Sequence, residues 1–178
     1  MNPQGLSVAA VADPYMEEQH VLSTPKFIVL CVLTLGLYIV WWQYKVWRFF
    51  GRWQHTDNLP ALRALLSVFT IYALLRDVKQ FARDHAVPVA YPAGLLAAAY
   101  IVLALLSLLP EPGGLVSLLA FWPLVAAHKA FNAALLVSPE VQAVAQAEFN
   151  GRQRALLRIF GLFWVLMLLG LALLTLGI

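Results

Sequence analysis

Apolar residues in this chain gather into five blocks divided by short polar segments, and the block lengths predict its elements. The first, Phe27–Tyr44, has 18 residues and no charge, enough to cross a hydrocarbon core of about 30 Å at about 1.5 Å per residue. A span over 27–46 is expected. The second, Ala64–Leu75, has 12 residues between Arg63 and Arg76 and rises only about 18 Å. Such a length predicts an interfacial or re-entrant helix, here over 61–84, with Pro60 near its first turn. Its continuation is amphipathic, placing Leu74, Val78 and Phe81 on one face and Arg76, Lys79 and Arg83 on another.

The third block predicts a span over 88–109, in which Gly94 and Ala98 form a small-x-x-x-small pair suited to close helix packing. Pro110-Glu111-Pro112-Gly113-Gly114 is a turn. The fourth block predicts a span over 115–135, with a kink expected at Pro123 because proline cannot donate to the carbonyl of Leu119. Ser138-Pro139-Glu140 reads as a helix start and Asn150-Gly151 as a stop, so a short amphipathic helix is expected over 139–149. The last block, preceded by Arg152, Arg154 and Arg158, predicts a span over 158–177. Residues 1–25 read as a polar tail without the features of a signal peptide. The expected architecture is all-α: one membrane domain over 26–178, a bundle of four transmembrane helices with one interfacial or re-entrant helix.

Composition supports a lipid solvent. Hydrophobic residues make up 62% and charged residues 12%, and mean hydropathy is +0.77, against roughly 25% charged residues in a soluble domain. A net charge of +3 is too mild to argue for nucleic acid. The positive charges then orient the chain, since cytoplasmic loops retain an excess of Lys and Arg. Four lie between Lys45 and Arg63, three between Arg76 and Arg83, four between Lys129 and Arg158, and none in the turn at Glu111. Four spans place these stretches in the cytoplasm, leave Lys26 outside, and predict an inner-membrane protein with both termini outside.

The run Leu33-Thr34-Leu35-Gly36-Leu37-Tyr38, followed by Trp41-Trp42-Gln43-Tyr44-Lys45 and Trp47-Arg48, resembles a signature of small prokaryotic multi-pass membrane proteins classed as a domain of unknown function, T-L-G-x-Y…W-x-Y-K. Arg63-Ala64 at the start of a short apolar run fits as well, and Pro123-Leu124-Val125 with Lys129 and Asn132 fits more loosely. The resemblance implies an integral membrane protein and supplies no catalytic residues.

The densest candidate feature is the aromatic–basic stretch of Trp41, Trp42, Tyr44, Lys45, Trp47, Arg48, Arg52 and Trp53. Aromatic rings with a polar edge favour the headgroup zone, and each nearby Lys or Arg adds about 1 kcal/mol of attraction to anionic lipid. Lys45, Arg48 and Arg52 share one helical face, and Arg76, Lys79 and Arg83 repeat that spacing. The expected partners are therefore the anionic lipids of the inner leaflet. A second copy of the chain or another membrane protein is the other class of partner. A polar path near His128, Lys129 and Asn132 is the mark of an alternative, a small channel or transporter, because ionisable groups inside a bilayer often line pathways. A lipid-processing enzyme would need His55, Asp57, His85 or His128 to converge. Ser67, Ser107 and Ser117 have no paired base, Cys31 reads as inert packing, and no phosphate loop, dinucleotide fingerprint or zinc motif is present. No catalytic residue, cofactor or metal is expected, and the leading reading is a non-enzymatic protein that organises lipid or membrane partners.

Overall fold

A computed structural model describes residues 18–56, 59–110 and 113–176. The chain is predominantly helical, and two of its helical segments, Gly114–Val137 and Gly151–Leu176, are long and apolar enough to cross a membrane. Strand β1 (Gln19–Leu22) leads into α1 (Thr24–Leu33) and α2 (Leu37–Trp53). Next come α3 (Pro60–Leu65), α4 (Ser67–Asp84) and α5 (Ala93–Leu105), which tightens into a 3-10 turn at Leu106–Leu108. A 3-10 segment (Gly113–Phe121) runs into α6 (Trp122–Val137), followed by β2 (Ala143–Gln146) and α7 (Gly151–Leu176).

The first apolar block is broken, and the expected single helix over 27–46 does not form. Leu35 and Gly36 adopt left-handed backbone angles, φ +53° and +86°. The Gly36 N–H returns to the Cys31 carbonyl at 2.8 Å and the Leu35 N–H to Val32 at 3.2 Å, the paired bonds of a Schellman C-cap. Thr34 serves both helices: its Oγ1 donates to the Leu30 carbonyl at 2.7 Å and accepts the Tyr38 N–H at 3.0 Å. Trp164 of α7 donates its indole N–H to the Leu33 carbonyl at 3.0 Å, satisfying one of the acceptors a helix end leaves open. The Thr34-Leu35-Gly36 run is thus the tip of a helical hairpin, and α1 at ten residues rises about 15 Å.

The helix expected over 139–149 is also absent. Residues 143–146 pair instead as a parallel strand with β1, in the register Gln19 to Ala143 through Leu22 to Gln146. Ser138 Oγ donates to the Glu140 carboxylate at 3.0 Å rather than accepting a helix N–H. A helix of that length is marginal alone, whereas the edge of β1 offers a ladder of backbone partners. The pairing overturns the placement of the two segments on opposite sides of a bilayer. Paired backbones lie about 4.7–4.9 Å apart, against a hydrocarbon core of about 30 Å.

Asn150-Gly151, expected to stop a helix, starts one. Asn150 Oδ1 accepts the Gln153 N–H at 2.8 Å and Gln153 Oε1 accepts the Asn150 N–H at 3.0 Å, a reciprocal capping box. The helix expected over 61–84 bends at Leu66 into α3 and α4. Its bend exposes Leu62, Leu65 and Phe69, the last by 83%, while Leu74, Val78 and Phe81 are buried. Pro123 falls in the first turn of α6, where its missing N–H is no loss, so a 3-10 to α transition replaces the expected kink. The span expected over 88–109 begins helically only at Ala93. Gly94 makes no close approach there: a Cβ would meet Tyr72 at an ordinary 3.9 Å.

Two aromatic clusters form the core. Phe27 stacks on His128 at 4.2 Å and packs edge-on against Tyr38 and Trp42. Phe49, Phe50 and Trp53 of α2 meet Phe81 of α4, and Phe49 and Phe50 meet Phe131 of α6. These contacts bring the C-terminal halves of α2, α4 and α6 to one end of the bundle. Helix α5 runs back along α4, anchored by Tyr91 Oη to the Leu75 carbonyl at 2.8 Å and Tyr100 Oη to Ser67 Oγ at 3.0 Å.

Candidate functional site

The end of the bundle that joins α2, α4, α6 and the two strands carries most of the charged residues; Arg63 lies apart, at the α3–α4 bend, where its carbonyl accepts the Thr70 hydroxyl at 2.7 Å. Lys26 Nζ donates to the carbonyls of Gln146 and Ala147, so it lies beside β2 and is not set apart from the other basic residues. At this end His85 Nε2 is 3.3 Å from the Glu140 carboxylate. No Lys or Arg occurs within 93–127, within 27–44 or beyond Arg158.

The expected headgroup surface on α2 is only partly a surface. Trp42 and Trp47 are buried, which corrects their assignment as interfacial residues: Trp42 faces Phe27 and His128, and the Arg63 guanidinium covers the Trp47 ring at 4.6 Å. Trp53 stacks on Phe49. Trp41 is exposed and Tyr44, at 5.4 Å from its ring, half-buried. Four of the seven aromatics between Trp41 and Trp53 (Trp42, Trp47, Phe49 and Phe50) are buried in protein, and amphipathicity alone does not distinguish protein from headgroup. Lys45, Arg48 and Arg52 do converge, lining a cavity of about 170 Å³ with Glu18, Gln19 and His20, so β1 lies over the stripe. On α4, Arg76 pairs with Asp77 at 3.0 Å, Lys79 donates to the Tyr91 carbonyl at 2.8 Å, and Arg83 is exposed.

His128 and Asn132 come together, one turn apart, but on a backbone carbonyl. Asn132 Nδ2 donates to the Leu22 oxygen at 2.7 Å, and His128 Nε2 lies 3.0 Å from the same oxygen. That arrangement assigns the proton to Nε2, and it fastens the end of β1 to α6. The cavity beside them is about 20 Å³, room for about one water. Lys129 points elsewhere, into a shallow recess beside Val87 and Ala130. The three residues therefore do not share a path. His85 and His128 have separate partners, Asp57 lies outside the described residues, and no group of three potential metal ligands is found among the described residues. Cys31 is buried in protein rather than facing lipid.

Residues outside the motifs named above stand out at the start of α7. Gln153, buried, donates to Tyr38 Oη at 3.2 Å, tying α7 to α2. Between these helices runs a groove of about 440 Å³ with Lys45 and Arg152 at its polar end. The Asn150-x-x-Gln153 spacing is the signal that marks this helix start.

The hydrogen bond from Ser138, more than the neighbouring His85, holds the Glu140 carboxyl below its usual value. A lowered folded-state value contributes stability above the ordinary carboxylate range and loses it as pH falls through the lowered value. Amide protection factors over 138–146, the rates being referred to the intrinsic rate at each pH, should therefore fall as pH drops below about 4.3, and Glu140→Gln should remove that acid limb. An unchanged acid limb in the variant would assign it to another group.

No known protein family, curated protein or solved structure matches this chain.

Proposed function

We propose that the chain is an integral protein of the bacterial inner membrane, non-enzymatic, whose basic end gathers anionic lipid of the cytoplasmic leaflet. The observation that carries this reading is the segregation of most of the Lys and Arg to one end of an otherwise apolar bundle, where the strands also lie. In this reading β1 and residues 138–150 share the cytoplasmic face. α5, α6 and α7 cross; the hairpins α1–α2 and α3–α4 enter and return. The exposed Leu62, Leu65 and Phe69 at the α3–α4 bend, and the apolar length of α7 with Leu162, Val165 and Leu174 exposed, are surfaces that need lipid or a membrane partner as solvent.

The exposed cations Arg83, Arg154 and Arg158 are the expected contacts with surrounding lipid. Spin-labelled phosphatidylglycerol should occupy the first lipid shell of the purified protein in preference to phosphatidylcholine. The Arg83→Gln, Arg154→Gln, Arg158→Gln triple variant should lose several-fold of that preference, screening reducing the full value of about 1 kcal/mol per charge. Equal occupancy by the two lipids around the wild type would overturn the reading.

A further inference from the structure

We propose that the groove between α2 and α7 holds one anionic phospholipid, its phosphate between Lys45 and Arg152 and an acyl chain along Tyr38, Trp41, Leu156 and Ile159. This rests on the membrane reading above and adds a discrete site to it. The groove, about 440 Å³, falls within the range of sites that bind small amphiphiles. Its wall is apolar over the length that faces the bilayer, and Ile159 is 64% exposed, so the groove opens sideways to lipid.

Its polar end holds two cations and no acid. Lys45 is half-buried, and among the described residues its ammonium makes no hydrogen bond or ion pair. A partly desolvated charge without a counter-charge at ion-pair distance is costly, and an anionic headgroup seated in the groove offsets that cost. Arg152, two positions into α7, presents a fork suited to phosphate oxygens. The capping box at Asn150 and Gln153 holds the backbone beneath it, and the Gln153–Tyr38 bond fixes the width of the groove. A free phosphate satisfies the charges but leaves Trp41, Leu156 and Ile159 uncovered; a lipid from the leaflet does both.

Native mass spectrometry of the full chain, released from detergent micelles with added phosphatidylglycerol or phosphatidylcholine, reads the site directly. One phosphatidylglycerol should be retained per chain, and Lys45→Gln and Arg152→Gln should each weaken retention about five-fold. Ile159→Trp, which fills the groove without touching either cation, should weaken it too and serves as the probe if Lys45→Gln does not fold. Glycerol 3-phosphate should not displace the lipid at millimolar concentration. Arg154→Gln with Arg158→Gln should reduce the lipid-shell preference and leave the single retained lipid in place. Equal retention of both lipids, displacement by glycerol 3-phosphate, or retention unaffected by Ile159→Trp would each overturn the site. The lipid-shell preference measured separately would show whether the broader reading survives that failure.

Discussion

Single cysteines at His20, Thr56 and Gln142, in a Cys31→Ala background, should react with an impermeant maleimide from one side of the membrane only. A cysteine at Pro110 should react only from the other. The expectation is all-or-none because it follows from hydrogen bonding rather than from a graded preference. β1 and β2 are paired residue by residue, and the Leu22 carbonyl is held by α6, so the segment before α1 and the segment after α6 share one face. Helices α2 and α4 end at that face, as the Phe49–Phe81 and Trp53–His85 contacts require. All four sites are exposed, so failure to react reports sidedness and not burial. Labelling of His20 and Thr56 from opposite sides would restore a first span that crosses, and would contradict the hairpin.

Thr34→Val should cost about 1–3 kcal/mol of stability, the usual penalty for leaving a buried donor unmade. Valine keeps the shape of threonine and removes the oxygen. The Leu30 carbonyl loses little, because it also accepts the Thr34 N–H at 3.0 Å. The Tyr38 N–H loses the acceptor that Thr34 Oγ1 provides, at a buried position where water is not at hand. Thr34→Ser retains the acceptor and should recover most of the loss. Unfolding in mixed micelles of increasing sodium dodecyl sulfate, followed by tryptophan fluorescence, checks both variants. Equal stability of Thr34→Val and wild type would mean that the tip is not held by this hydroxyl. Gly36 bears on the same turn: at φ +86° any other residue would be strained there, although the space for a Cβ is open.

Block length and charge in the sequence determined that the chain is helical and apolar, that its last block forms one continuous helix, and that Leu74, Val78 and Phe81 share a face. Those properties are local or periodic: they depend on residues within a few turns of one another. The sequence also carried the marks of the hairpin tip, Thr34-Leu35-Gly36, and of the α7 start, Asn150-x-x-Gln153. Both were masked by stronger signals, an 18-residue apolar run in one case and the turn propensity of Asn-Gly in the other. Tertiary structure alone decided that residues 143–146 form a strand, since that depends on an edge 124 residues away, Gln19 pairing with Ala143. It also decided that Trp42 and Trp47 are core, because an aromatic ring suits a protein interior and a headgroup layer equally until its neighbours are known. The placement of Lys45 and Arg152 on one groove is of the same kind. Two cations more than 100 positions apart share a groove only because Gln153 reaches Tyr38 and Trp164 reaches Leu33, contacts whose geometry no local pattern encodes.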